Sequence, residues 1–581
     1  MRQSTLLNLG RHFSLQKSEW PTLCTRIEAL LSPQQEFMAA PVSKEIESLA
    51  QRYYSQLVIH KKSSSTVLTT IGIPADATSN DFQEVDVNSI ELIQPRSVGV
   101  EHAGIHALTT LGLPYILKDV GLNAIQCSCA IGNIIGRMAA PGSELSTWKW
   151  LREQSALGEL LDVDFGGVAL SQLYRVSDLL VRHRDKIEHQ LFGRITDLFL
   201  LPTTVTLYDL TNSHFEGEMA GNSRAKRGHS KQKRTDCPLV TLGLVLDDSG
   251  FVRRSRVFDG NVSEGSTLQG MLAGLKAPAS ALVIMDRGIA TEENVAWLID
   301  NKYRYLVVNR ERNRYFDESQ PVVTTTTASE DVIRMQRVLS ADGKEVRLYC
   351  QSDKRADKET AMAQGFMSRF EAGLSKLAEG LGKPRCEKRF DKINERIGRL
   401  KERCHGIAQH YTINLIADET GKKTASLTWE KNPVANSMLT HPGVYCLRSN
   451  ETSWDEATLW QTYTMLTDVE AVFRSLKSEL GLRPIYHHTA ERTEGHLFIT
   501  VLAYQAVQVL RKQLKEQNEF GSWSRLREIL TVQRRVTTTF KQRNGSTLHI
   551  RKATIAEPTL QELYEKLRIS STPGGVKKLK I

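Results

Sequence analysis

The chain has 581 residues, 40% hydrophobic and 24% charged, with a mean hydropathy of -0.32, a composition that excludes a disordered or membrane-embedded chain. That length predicts three or four folded units. No apolar run approaches the roughly 18–20 residues of a bilayer span, and the start, MRQSTLLNLGRHFSLQKSEW, lacks the apolar core of a secretory signal, so a cytosolic protein without a membrane partner is expected.

Seventy-six Lys and Arg against 66 Asp and Glu give a net charge of +10, which suits a polyanionic partner. Eight cysteines in a chain of this length are too sparse for a disulfide framework. The one close pair, Cys127-Ser-Cys129, lacks a second pair at zinc-ligand spacing, so core packing is expected of it.

From about 100 to 200, apolar residues recur at three- and four-residue steps through GIHALTTLGLPYILKDVGL, AIQCSCAIGNIIGRMAA and ALSQLYRVSDLLVRHRDKIEHQLFGRI, so residues 1–200 are predicted to be a mainly helical N-terminal region. Around Gly121 the pattern resembles a helix-turn-helix, as many helix pairs do. After about 202 the pattern becomes β. TTVTLYDL reads as one strand and CPLVTLGLVLDDSGFVRRSRVFDGN as two more, joined by a turn at Asp247-Asp248-Ser249-Gly250, and the three should form a meander. A helix (STLQGMLAGL), a strand (ALVIMD), a helix (TEENVAWLIDN) and a strand (RYLVV) follow, giving an α/β mixed sheet with crossover helices over 201–310.

The segment 311–440 interrupts this layout and is predicted to be an insertion. Its strand-like pieces, VIRMQRVL, KEVRLYC, YTINLIA and TASLTW, surround a charged helix, CEKRFDKINERIGRLKERC. GVYCLRS is expected to resume the sheet edge, opening a second part of the sheet domain over 441–515 with one long amphipathic helix from about 455 to 480. HLFITVLAYQAVQVLRKQL reads as a buried helix. In the C-terminal region, 516–581, Asn544-Gly545 signals a hairpin before a basic tail, GGVKKLKI.

In VTLYDLTNSHFEG, residues 205–217, an acid, Asp209, follows a strand that reads as buried; Asp286 likewise follows Ala281 to Met285. Each is expected at the carboxyl end of a strand, where reactive groups of such architectures collect. Either acid alone also fits a turn or N-cap. A third acid would complete a site for hard cations, because two ions about 3.5–4 Å apart need several carboxylates. Glu470 is the candidate. Tyr463, Glu470 and Lys477 are spaced by seven and would stack along one helix face, with Arg474 beside them. A solvated face with Glu470 pairing Arg474 is the alternative. The cluster SRAKRGHSKQKRTD holds Arg224, Lys226, Arg227, Lys231, Lys233 and Arg234, a candidate phosphate-contacting loop beside Asp209 or a solvated loop. Trp429 could stack on an unpaired base or pack in a core. His487, His488 and His496 cluster in sequence but follow the helix.

LYDLT, IMDRG and Y-x6-E-x2-FR-x2-K-x5-RP followed by GHL, with FDGN at 258–261, together resemble the DDE transposases of bacterial insertion sequences. The closer likeness is to the group with a Tyr-Arg-Glu-Lys signature and an RNase H-like domain interrupted by a mostly β insertion. The resemblance covers about 200–515. It implies that Asp209, Asp286 and Glu470 form a triad for two Mg²⁺ (or Mn²⁺) ions, with Tyr463 and Lys477 contacting DNA. It further implies cleavage at terminal inverted repeats, strand transfer into target DNA, a homodimer in the synaptic complex, and a bacterial cytoplasmic, nucleoid-associated protein. The signature Arg, expected three residues after the Tyr, is Leu466 here, and Arg474 is the candidate replacement. A metal-dependent nuclease of the same fold and a catalytically inactive DNA-binding protein are the rival readings.

Overall fold

The computed structural model describes residues 15–31, most of 42–51, 81–199, and the chain from 205 onward apart from 229–233, 235, 274, 276–280, 310–313, 318, 321 and 328–329. In chain order the elements begin with α1 (Trp20–Leu31), β1 (Val85–Ser97), α2 (Gly99–Thr110), α3 (Leu113–Asp119), α4 (Ala124–Ala139), α5 (Glu144–Glu153), α6 (Leu157–Leu161), α7 (Leu170–Arg182) and α8 (Arg184–Phe199). Next come β2 (Val205–His214), β3 (Leu239–Leu246), β4 (Val252–Asp259), α9 (Leu268–Leu272), β5 (Leu282–Met285), α10 (Glu292–Asp300) and β6 (Arg304–Val308). They are followed by β7 (Val323–Thr326), β8 (Val332–Leu339), β9 (Val346–Ser352), α11 (Asp353–Gly382), α12 (Phe390–Arg403), α13 (His405–Ala408), β10 (Tyr411–Ala417), β11 (Thr424–Lys431) and β12 (Val444–Ser449). The chain finishes with α14 (Glu456–Thr464), α15 (Leu466–Arg474), α16 (Ala490–Glu516), α17 (Trp523–Thr531), β13 (Arg534–Gln542), β14 (Thr547–Ala553), α18 (Pro558–Leu567) and β15 (Lys577–Lys580).

These elements group into two compact units, one made of Met1–His106, Asn123–Val176 and Ser524–Ile581, the other of Ala107–Leu122 and Ser177–Trp523. In the first, an antiparallel sheet of order β1-β13-β14-β15 joins a strand near residue 90 to the C-terminal hairpin. The Asn544-Gly545 turn forms that hairpin, with Gly545 at φ 85°. Arg535, fully buried, is held by Glu159 at 2.9 Å, and Glu159 also binds Arg551. In α4, Asn123 and Gln126 form a reciprocal capping box. The helix is buried from Cys129 to Met138, which leaves no exposed face along that stretch for reading a DNA groove. Cys127 and Cys129 are core residues, and burial pushes the Cys129 thiol up to about 11.

The second unit is built on a nine-stranded mixed sheet of order β4-β3-β2-β5-β6-β12-β9-β8-β7. β2, β3 and β4 form the predicted antiparallel meander. β5 and β6 then add in parallel to β2. Every residue of β3 is buried, as its nearly continuous apolar run, broken only by Thr241 and Gly243, requires for a strand covered on both faces. Gly243 in this strand is tightly enclosed: a Cβ there would lie 2.9 Å from Phe258 and 3.1 Å from Leu210.

The place of β12 and the make-up of the segment 311–440 differ from expectation. β12 is not at the sheet edge but between β6 and β9, because β9, β8 and β7 extend the sheet past it. The segment 311–440 is not mostly β: the 30-residue α11, with α12 and α13, packs on the β10–β11 hairpin around Met367, Phe370, Leu374, Ile393 and Ile397.

Candidate active site

Asp209 and Asp286 are brought side by side by strand register. β2 and β5 run parallel, and their last paired residues are Tyr208 and Met285; the next residue on each is the acid. Tyr208, Leu210, Val283 and Met285 all point into one apolar core. Side chains alternate along a strand, so Asp209 and Asp286 project from the opposite face. β5 stops at Met285, and Asp286 opens a turn in which its Oδ1 accepts from the Arg287 N–H at 2.6 Å and its carbonyl from the Ile289 N–H at 3.0 Å. Asp209 does not end its strand, contrary to expectation: β2 continues to His214 because β3 pairs with it throughout. What ends at Asp209 is the parallel partner alone.

α15 packs across β2, burying Val469, Val472 and Phe473 while Glu470 stays exposed. The third acid therefore rides on a helix that crosses the strand carrying the first. Tyr463 connects Glu470 to the second acid. Burial pushes its hydroxyl up to about 12, and the negative charges of Asp286 and then Glu470 add to the effect, so both acids lie close enough to act on one phenol. The three carboxylates do not all come within 4.8 Å of one another. Among the described residues neither Asp286 nor Glu470 is in an ion pair, and the donor set is oxygen only, as Mg²⁺ or Mn²⁺ prefer.

Residues 201–506, more than half of the chain, match the Transposase DDE domain family. The chain belongs to the DDE transposase family. No curated protein matches it. The matched stretch runs from just before β2 into α16 and includes all three acids. The family consists of nuclease-type enzymes of DNA transposition that generally use divalent metal ions, and membership implies a DNA substrate. Among the described residues, no helix of this transposase is long and apolar enough to cross a membrane.

The helix carrying Glu470 is not one straight rod. It is interrupted at Met465 between α14 and α15, and Ser475–Glu479 form a π-helical turn. The π turn widens the spacing of residues per turn, so Lys477 does not continue the straight line through Tyr463 and Glu470 that a uniform helix would give. Its Nζ lies 5.9 Å from the Phe473 ring. Arg474 is exposed at the end of α15, and among the described residues it makes no ion pair with Glu470.

A guanidinium that sequence spacing did not single out stands nearer Tyr463. Arg355, in the first turn of α11, lies with its Cζ 4.9 Å over the Tyr445 ring, whose centroid is 6.5 Å from that of Tyr463. Its charge offsets part of the upward push on the Tyr463 hydroxyl, and its Nε donates to Glu359 at 3.0 Å. Only β12 lying beside β9 brings this helix start near Tyr463, and no local motif announces a pairing between strands so far apart in sequence.

The basic loop after β2 is partly structural. Arg224 pairs with Asp259 at 3.0 Å and with Glu494 at 3.3 Å, and Arg234 pairs with Asp236 at 2.6 Å. Lys226 and Arg227 are exposed, while Lys231 and Lys233 lie outside the described residues. The loop's start is tied down by reciprocal backbone bonds between Lys226 and Leu239. Gly260 of FDGN permits that approach, since a Cβ there would lie 2.1 Å from the Leu239 carbonyl and 2.5 Å from that of Lys226. His487 and His496 are buried with rings 5.5 Å apart, but His488 is exposed, so the three do not converge. Trp429 packs on the α11–α13 core.

Proposed function

We propose that the chain is the transposase of a bacterial insertion sequence that cuts DNA at the element's terminal inverted repeats and joins the freed 3' ends to target DNA. In this reading β2, β5 and α15 belong to an RNase H-like catalytic domain interrupted by the segment 311–440, and two copies hold the two ends. Asp209, Asp286 and Glu470 hold two divalent ions, Mg²⁺ or Mn²⁺. Such ions supply a nucleophile from water or a 3'-hydroxyl at neutral pH and charge for the departing oxygen. What supports the reading is the placement of the acids: Asp209 and Asp286 each follow the last paired residues of two parallel neighbouring strands, α15 packs against β2, and the charges of Asp286 and Glu470 both bear on the Tyr463 hydroxyl.

The chain's own groups then orient the substrate. Tyr463, whose phenol keeps its proton at neutral pH, donates a hydrogen bond to a phosphate oxygen beside the acids. Arg355, Arg474 and Lys477 neutralise flanking phosphates, and the signature Arg missing at Leu466 has two stand-ins, Arg474 on the same helix and Arg355 across from Tyr463. Lys226 and Arg227 of the basic loop, with Lys231 and Lys233, extend the cationic path.

The test is cleavage and joining of a duplex bearing the element's ends, in Mg²⁺. Asp209→Asn and Glu470→Gln should each lower cleavage by more than about 100-fold, since even the partners of metal ligands cost 10–100-fold, while leaving DNA retention within a few-fold. Arg355→Ala should cost roughly tenfold in cleavage. Near-normal cleavage by either acid variant would remove the triad; cleavage without joining would make the chain a nuclease, and retention without cleavage a DNA-binding protein.

A further inference from the structure

Away from the acids, where α7 gives way to α8, there is a cleft of about 400 Å³ lined by Arg182, His183, Arg184, Lys186, Arg256 and Glu494, with Asp185 at its rim. Three Arg and one Lys face two carboxylates, a formal surplus of two positive charges before His183 is counted. Both carboxylates are already engaged. Asp185 is 2.6 Å from Arg256, and Glu494 is shared between Arg184 and Arg224 at 3.3 Å each. One carboxylate thus serves two guanidiniums at long range.

Arg184 is 6% exposed, and its Nε–H has no acceptor among the described residues. Its guanidinium lies 5.2 Å over the Phe498 ring. A buried guanidinium with an idle donor is costly unless an acceptor reaches it. The next acid, Glu188, does not supply one: its Oε1 accepts from the Ser255 N–H at 2.9 Å, and burial pushes its carboxyl up to about 7, so its charge is incomplete at neutral pH. Lys186 pairs with Asp119 at 2.8 Å, whereas Arg182, exposed at the mouth, is in no ion pair among the described residues. The cleft therefore offers a deep guanidinium and a free one above it, an arrangement suited to a tetrahedral oxyanion.

We propose that this cleft is a second phosphate site, taking a backbone phosphate of duplex DNA at a distance from the reacting one. The proposal rests on the DNA reading given above. Its continuity with the basic loop supports DNA over a free anion: Arg224 of the loop and Arg184 of the cleft meet on the same Glu494, and Lys226 and Arg227 are exposed on that loop. A strand tracking the loop would meet Arg182 and then Arg184.

The experiment is anisotropy of a labelled 30-base-pair duplex of arbitrary sequence with the full chain across a KCl series. Arg184→Gln removes the buried donor, and Arg182→Gln, at an exposed position, guards against a folding defect in the first. Each should lower the slope of log K against log salt by about one and weaken binding roughly fivefold. Wild-type slope and affinity in both variants would overturn the phosphate site and leave the transposase reading standing. If the wild-type chain bound no duplex, both would fall.

Discussion

At the scale of single residues, the geometry separates acids that serve the turn they stand in from acids that face outward together. Asp247 is of the first kind. It is fully buried in the β3–β4 turn, and its Oδ1 accepts from the Ser249 N–H at 3.0 Å and the Phe251 N–H at 2.8 Å. Its Oδ2 has no partner among the described residues. Burial pushes its carboxyl from 3.8 up to about 7. The folded chain therefore holds a proton that the unfolded chain has released, and stability falls as pH rises from about 4 to about 7. That loss is on the order of 4 kcal/mol. Asp247→Asn keeps the acceptor and cannot ionise. Urea unfolding of this variant should match wild type near pH 4 and exceed it at pH 8; equal stability at pH 8 would show that the carboxyl is not held protonated. Turn chemistry of this kind was legible in the sequence, because Asp-Asp-Ser-Gly between apolar runs has few other readings. Arg355 was not, because its nearness to Tyr463 depends on which strand β12 pairs with.

At the scale of elements, the strands of the meander and the parallel pair were legible because each carries its own apolar run between turn residues. α11 escaped because only Ala363, Met367, Phe370 and Leu374 are buried along its 30 residues, a stripe too thin to stand out from charged sequence. Nor does the sequence LTDVEAVFRSLKSEL announce the π turn after Arg474, since no Pro or Gly interrupts it. The C-terminal hairpin was foreseen, but its partnership with β1 was not. That sheet depends on one carboxylate: Glu159 faces Arg535, which is 0% exposed, and Arg551. Removing its charge leaves a buried guanidinium with only the carbonyls of Pro573 and Gly575, and the loss of one member of a buried pair costs about 3–5 kcal/mol. Glu159 is itself partly exposed, so the expected loss for Glu159→Gln is about 2–3 kcal/mol in denaturant unfolding. A change below about 0.5 kcal/mol would mean that the carbonyls suffice.

At the scale of the whole molecule, the surplus of ten positive charges and the membership of residues 201–506 in the transposase family fit one partner, DNA. The acids fit a different need, since a polyanion is repelled by exposed carboxylates unless cations stand between them. The candidate site was legible as three separate acids, each of which alone also suits a turn, a cap or a solvated face. Their grouping into one site came from the family resemblance and not from local pattern, because adjacency of Asp209 and Asp286 comes from parallel register across more than 70 residues of chain, and Glu470 is carried by a helix more than 180 residues further on. The measurement that bears most directly on this is calorimetric titration of Mn²⁺ into the full chain bound to a duplex. Asp209→Asn, Asp286→Asn and Glu470→Gln should each weaken Mn²⁺ binding by at least about tenfold. Wild-type Mn²⁺ affinity in all three variants would contradict the assignment of these side chains as a common metal site.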